Sequence, residues 1–556
     1  MPPQAYELDD SGRLLTPARF VLMRTMVLAQ AFHLTGRATF ARRARHELLH
    51  AAAYPDWGPE HLLDTAELCT AVALGYDWLY DTLDDVDRRT LLEALRDLGL
   101  GQMPADHWCW TRHNNWNQVC CGGATLAALV LEDTEPQLAA ETLARTRAAI
   151  SHGMQAYAPD GVSPEGVSYW SYGATYNALM FSALHTAHGE DPRDLMAEPL
   201  RRSAIVRSLV EAPSQQWWSY ADSFSHNRIE PALLWFADLD DAPHLAESVW
   251  RQAANPNAYL RNLRAPVQAW LLPLALIWPA PPDKPLPFNA MSRAWHGRGS
   301  VPLAILRHAG HAQDPKCAAF LGIKGGSPSV SHAHMDIGSF VAELAGKRWA
   351  IDLDGEAYHR VEAHFAKHNR TVADAGQHAG LWDMSPDSAR WSLRRYANAY
   401  HNTLTISDHH QNTHATSEFL SVTEEPYPQA VLDLTPTYAG QATRVIRKVA
   451  VSDANRLTFE DQITGVAPDA SVTWTWITDA NVVEESSHAL RLTKGGRSVW
   501  LRHACKDVGP FKVEAFDRKR PEFESPNPGV LRIRLVSKHH PKGRHRFDVE
   551  LTSDSR

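Results

Sequence analysis

The segment Gly325–Asp336 reads GGSPSVSHAHMD and ends in two histidines two residues apart, His332 and His334. In an extended strand, side chains i and i+2 point to the same side, which would set two imidazoles roughly 6–7 Å apart on one site. Val341–Leu344 and a turn at Gly346-Lys347 then lead to a predicted strand over Trp349–Leu353 that carries Asp352. A carboxylate near imidazole nitrogens is a zinc donor set. HNTLTI adds a third imidazole. In it His401, Thr403 and Thr405 share one face of an extended segment, and Leu404 and Ile406 share the other. His334, Asp352 and His401 would fill three tetrahedral positions and leave the fourth for water or substrate. Because the chain has 29 histidines, H-x-H also reads as two surface histidines beside a turn.

Three other stretches carry polar groups in useful patterns. Arg112-His113-Asn114-Asn115-Trp116-Asn117-Gln118 is rich in amides, which can grip a carboxylate without adding charge. Asn114 lies i,i+3 from Asn117 and i,i+4 from Gln118, so they share a helix face if a helix begins here; a capping segment is the other reading. In PDGVSPEGVSYWSYG, Tyr169 and Tyr172 flank Trp170, and Glu165 reads as a cap or a supporting carboxylate. A tyrosine hydroxyl can act as a general acid, or as a base if nearby positive charge lowers its pKa; aromatic packing at a helix start is the alternative. Trp217, Tyr220, Asp222, His226 and Arg228 form a polar, aromatic patch that could line a saccharide cleft. Asp64, Glu67 and Asp77 stand among apolar helix positions, where catalytic acids, caps and buried hydrogen-bonded acids are all consistent.

The elements that must position these groups change character along the chain. Leu62, Leu63, Ala66, Cys69, Ala73, Tyr76, Leu79 and Tyr80 recur at three- and four-residue steps, and helical periodicity continues to about residue 211. PAPPDKPLP, Pro279–Pro287, marks a boundary. Beyond it lie short alternating runs: VPLAIL, FVAEL, TRVIRKVAV, RLTFEDQI, SVTWTWI, SVWLRH, VLRIRLV and RFDVEL. Helices first and strands second imply separate layered domains rather than a βαβ fold. The expected division is 1–280 helical, 281–430 central β and 431–556 C-terminal β.

At 556 residues the chain holds several domains, with 44% apolar and 21% charged residues. A net charge of −9 argues against a general nucleic-acid surface but leaves room for a local basic cleft. The six cysteines fit neither a zinc cluster nor a disulfide framework, and Cys120-Cys121 reads as helix packing. No run of 18 apolar residues predicts a membrane span. Met1 is not followed by a cationic start and apolar core of a signal peptide, which predicts a cytoplasmic protein, or a periplasmic or secreted one if a leader has been removed.

Taken together, GGSPSVSHAHMDIGSFVAELAGKRWAIDLDGEAYH, preceded by HNNWNQV and EGVSYWSYG and followed by YHNTLTI, resembles the heparinase II/III-like polysaccharide lyases over roughly residues 50–410. The resemblance implies an α+β multidomain protein, an N-terminal (α/α) toroid followed by antiparallel β-sandwich domains. It implies His332 as catalytic histidine, Tyr169 as catalytic tyrosine with Tyr172 its local competitor, and Asn114 on the uronate carboxylate. His113 or Asn115 could share the Asn114 role. Asn117 stands where relatives can carry a charged cleft residue, which leaves the neighbouring subsite open. His334, Asp352 and His401 match the metal positions, with Zn2+ in a structural role. The implied reaction is β-elimination in an anionic, uronate-containing polysaccharide or oligosaccharide, heparin- or heparan sulfate-like first and alginate second. A metal-dependent glycoside hydrolase and a noncatalytic carbohydrate-binding protein are the competing classes. A homodimer is compatible with this reading; nucleic acid and membrane are not expected partners.

Overall fold

The computed structural model describes residues 2–224, 229–255, 270–278, 292–308, 318–368, 380–505, 507–538 and 542–553. The expected linker Pro279–Pro287 lies outside them. The chain forms two compact units, and neither is contiguous in sequence. One comprises 1–158, 169–205 and 228–286; the other 159–168, 206–227 and 287–556.

The first unit is helical, with toroid-like packing. Its principal helices are α1 (Leu15–Thr35), α2 (Ala38–Ala52), α3 (Leu62–Trp78), α4 (Asp85–Ala94), α5 (Asn115–Leu131) and α6 (Pro136–Gln155). The long α7 (Val167–His188) follows. Helices α3 and α5 are buried on nearly every side, as their apolar composition requires. They touch closely: a Cβ on Gly123 would sit 2.4 Å from the Ala66 carbonyl oxygen, so no larger residue fits there. Cys69, Cys120 and Cys121 are buried in this contact region as free thiols, the packing role expected of them. Among the described residues no helix is long and apolar enough to cross a membrane.

The second unit is antiparallel β. Strands β1 (Ala294–Gly297), β2 (Leu303–His308), β3 (Ala319–Lys324), β4 (Phe340–Leu344) and β5 (Lys347–Ala350) make a five-stranded sheet in sequence order. Ala345 (φ 52°) and Gly346 (φ 70°) form the two-residue turn joining β4 to β5, one residue earlier than the sequence reading placed it. The remaining strands are β6 (Leu404–Ile406), β7 (Phe419–Thr423), β8 (Gln429–Asp433), β9 (Arg444–Asp453), β10 (Arg456–Thr464) and β11 (Ser471–Thr478). They continue with β12 (Asn481–Ser486), β13 (Ala489–Lys494), β14 (Arg497–His503), β15 (Lys512–Ala515), β16 (Leu531–Lys538) and β17 (Arg544–Ser553). Eight of them order as β12-β13-β14-β17-β10-β9-β8-β7 and four as β15-β16-β11-β6. The alternation of β9, β10 and β17 puts Val445, Val449, Leu457, Phe459, Phe547 and Leu551 into one core with Phe340, Trp474 and Trp476.

Two polar side chains in this core hold the chemistry-bearing segments. Arg447 forks onto Asp461 (2.7 and 2.9 Å) and donates to the carbonyls of Gly338 and Asn402. The Asn402 amide donates to the carbonyls of Phe340 and Ile351 and accepts from the Ile477 amide. These bonds fix the backbone beside Asp336, Asp352 and His401 in a water-poor interior, where displacement would leave several polar groups unsatisfied.

Candidate active site and metal centre

His332 and His334 do not lie on a strand. They sit in the loop that connects β3 to β4, and His332 takes a left-handed backbone with φ 61°. The extended geometry expected for H-x-H is therefore replaced by a tight turn. A non-glycine residue held there costs on the order of 1–3 kcal/mol, which its surroundings must offset. Asp222 supplies the offset: its amide donates to the His332 carbonyl (3.1 Å) and its Oδ2 lies 3.1 Å from His332 Nδ1. The other carboxylate oxygen, Oδ1, lies 3.0 Å from His334 Nε2. Arg390, itself buried, donates to Asp222 and to the Ala333 and Leu381 carbonyls. One buried aspartate thus orients both histidines. Burial would raise its pKa, but the Arg390 charge and the bonds to the two imidazoles hold it well below the usual carboxylate range.

An ionised Asp222 fixes the His332 tautomer. With Nδ1–H donated to the carboxylate, Nε2 is the nitrogen turned toward Glu165. Nε2 lies 3.4 Å from Glu165 Oε1, which also accepts from the Ser331 hydroxyl, so Glu165 supports the histidine. Tyr358 reaches His332 Nδ1 at 3.1 Å, and the Trp382 ring meets the imidazole edge to face at 5.1 Å.

His334, Asp336 and His401 form the set that could hold a metal ion, with ligand atoms within 4.8 Å of one another and all three buried. Asp336 was not among the expected ligands. Asp352, which was, lies 3.0 Å from His401 Nδ1. His334 Nδ1, Asp336 Oδ2 and Asp352 Oδ2 are buried without a hydrogen-bond partner among the described residues. Three orphaned donor atoms in one place are costly unless a cation completes them. His401 Nε2 lies 2.8 Å from the Arg395 carbonyl, so Nε2 is protonated, and Nδ1 bonds Asp352 only when it carries a proton as well. Burial disfavours the charged ring, but the Asp352 bond and charge win and raise the His401 pKa. Burial prevails at His334, whose pKa is lowered, as a neutral ligand requires. Lys324, fully buried, is ion-paired with Asp336 Oδ1 and supplies one positive charge beside the set. The residues fit a divalent metal with mixed nitrogen and oxygen donors.

The other expected site residues divide between the units. In the second unit Trp217 and Tyr220 are enclosed rather than saccharide-facing. Trp217 joins an apolar cluster with Val206 and Leu303, and the Tyr220 hydroxyl donates to the Ser163 carbonyl at 2.8 Å. His226 and Arg228 lie outside the described residues. In the helical unit Tyr169 is half-buried on α7, whereas Tyr172 is buried and donates to Glu67 at 2.8 Å. Glu67 also accepts from Arg19, Tyr176 and Trp270, so this acid is an internal anchor. Burial and the Glu67 charge push the Tyr172 hydroxyl well above its ordinary value, which makes it a poor base. Asn114 is the N-cap residue of α5 but makes no side-chain cap bond, and its Oδ1 has no hydrogen-bond partner among the described residues. Asn117 is buried and donates to the Cys109, Trp110 and Ala149 carbonyls while accepting from the Gly153 amide; packing, not a cleft, accounts for it. Asn115 is buried, and His113 is exposed beside His152 at 3.4 Å.

The sequence reading left Asp222 without a role and Asp336 unnamed. Asp336 had a signal: His332, His334 and Asp336 repeat at every second residue of the quoted motif. Asp222 had only its place in a polar patch.

Residues 306–518 match the family model described as "Heparinase II/III-like, C-terminal". No curated protein matches the chain significantly by sequence. Among solved structures the chain is similar to Heparinase III, at 12% identity and TM-score 0.65, with 98% of this chain and 78% of that one covered. It is also similar to heparan sulfate lyase HepC from Pedobacter heparinus, at 13% identity and TM-score 0.56, with 96% and 76% covered. The matched segment contains His332, His334, Asp336, Asp352 and His401, and the helical-plus-β architecture is the fold these solved structures share.

Proposed function

We propose that the protein cleaves a uronate-containing glycosaminoglycan of the heparin or heparan sulfate type by β-elimination. The observation that carries this reading is the Asp222 carboxylate holding His332 in a strained turn, with Nδ1 on Asp222 and Nε2 facing Glu165, inside the family-matched segment. The names of the similar structures, Heparinase III and heparan sulfate lyase, support the substrate class.

In the proposed reaction Asn114 hydrogen-bonds the uronate carboxylate and so stabilises the charge that develops there as C5 loses its proton. Tyr169 or His332 removes that proton, according to the configuration at C5. The C5–H electron pair becomes the C4–C5 double bond, the C4–O4 bond breaks, and Tyr169 delivers a proton to O4. The product is an unsaturated uronate at the new non-reducing end. His334, Asp336 and His401, with Asp352 alongside, would hold Zn2+. The ion would supply binding energy that braces the loops carrying His332, and the chain's own residues move the protons. A panel of heparan sulfate, heparin and alginate, read by the ultraviolet absorbance of unsaturated uronates, tests the proposal. Product from heparan sulfate or heparin is expected. Product from alginate alone would reassign the substrate, and none from any uronate polymer would reject the reading.

A further inference from the structure

The start of α5 presents an unusual surface. Trp108, in the short helical turn Trp108–Thr111, is 42% exposed, a large apolar ring left in water. It is not an isolated ring: it packs against Trp116 with centroids 4.7 Å apart, and Trp116 meets His61 edge to face at 4.8 Å. His107 also lies beside Trp108, with centroids 4.9 Å apart. The rings brace one another, so Trp108 offers a fixed rather than a rotating face. The Arg112 guanidinium lies 5.5 Å from the Trp108 centroid, and Arg112 is exposed with no ion pair among the described residues.

Electrostatics at this surface favour an anion. Helix α5 runs 17 residues, has no acidic residue in its first turn and no side-chain cap. Its amino end therefore presents partial positive charge that no acid of its own first turn neutralises. Asn114, whose Oδ1 has no hydrogen-bond partner among the described residues, stands at that end, two residues before Trp116. His107 accepts from the Cys109 amide, and burial lowers its pKa against the opposing charge of Asp106, so the ring adds no positive charge.

An exposed indole carrying a guanidinium over its ring matches one chemical class: a pyranose ring bearing a carboxylate or sulfate. The ring's C–H face stacks on indole, and the anionic substituent meets the guanidinium. We propose that Trp108, backed by Trp116 and paired with Arg112, is an anionic-sugar subsite that sets affinity for chain length next to the Asn114 position. The proposal rests on the lyase reading for its substrate class, but its own content is a binding surface.

Binding separates it from that reading. Calorimetric titration of heparan sulfate and alginate octasaccharides, in full-length protein carrying Tyr169→Phe so that ligand is not consumed, is the experiment. Adding Trp108→Ala is expected to weaken Kd about tenfold, Trp108→Phe to recover most of the loss, and neither to lower the melting temperature. Arg112→Gln is expected to weaken Kd and to flatten its salt dependence. The response of the two octasaccharides to Arg112→Gln distinguishes sulfate from carboxylate as the recognised group. A melting temperature that falls while Kd stays constant would make the ring cluster a packing feature and overturn the proposal. Absence of octasaccharide binding to the parent protein would also overturn it. Tight, Trp108-dependent binding, with no unsaturated product formed by the protein that retains Tyr169, would instead leave the subsite standing and reject the lyase reading.

Discussion

Asp222→Asn separates the part of the site that the structure explains from the part carried by similarity. The substitution keeps size and shape but removes a fully buried negative charge that faces His332, His334 and Arg390. Removing one partner of a buried pair costs about 3–5 kcal/mol, because the other charge stays behind uncompensated. Arg390 retains the Ala333 and Leu381 carbonyls, which puts the loss near the lower end, ~3 kcal/mol. For a cooperative unit of roughly 300 residues that is about 5 °C in melting temperature. Turnover should fall much further. An asparagine donates as well as accepts, so it no longer fixes His332 with the proton on Nδ1, and a loss of about 100- to 10,000-fold follows. Thermal unfolding by circular dichroism, single-turnover product formation and metal content by elemental analysis give the three readouts. A variant that melts and turns over like the parent would refute the reasoning that Asp222 holds the site.

Tyr169→Phe should cut turnover by about 100- to 10,000-fold with fold and oligosaccharide binding intact. Tyr172→Phe should do the reverse, losing ~1–2 kcal/mol of stability because Glu67 loses a donor, while keeping turnover; the opposite outcome in a paired assay would exchange their roles. His334→Ala should lose the metal and lower the melting temperature, and elemental analysis showing stoichiometric metal in the variant would remove His334 from the ligand set. Burial pushes the Glu524 pKa up to about 7, with Glu356 adding to the rise and Arg394 opposing it. Its folded-state pKa therefore lies above the unfolded value. The associated stability is full below about pH 4.5 and is lost as pH rises to 7. Glu524→Gln should remove that decline and stabilise the protein by ~2 kcal/mol at pH 8, after allowance for solvent screening. Denaturation profiles of parent and variant that stay parallel from pH 5 to 8 would contradict it.

Periodicity made the architecture legible. The three- and four-residue spacing from Leu62 to Leu79 became α3, and alternating runs such as RLTFEDQI and RFDVEL became the adjacent strands β10 and β17. Local spacing worked less well at the site. H-x-H suggested a strand because period two is what a strand shows, but Asp222 and the left-handed His332 converge the two rings by a different route. The 110-residue separation of Asp222 from His332 leaves no sequence signal, since tertiary contact alone joins them. Asn117 and Tyr172 misled for a related reason. Polar side chains serve clefts and buried backbone alike, and only the Cys109, Trp110 and Ala149 carbonyls, or Glu67, reveal which.

The most direct test of the central claim is the mass of the first products formed from heparan sulfate in water enriched in heavy oxygen. Elimination consumes no water. The account predicts fragments whose masses sum to that of the substrate, with an unsaturated uronate at one new end and no heavy oxygen at either. Fragments heavier by one water that carry the heavy isotope would show hydrolysis and contradict it.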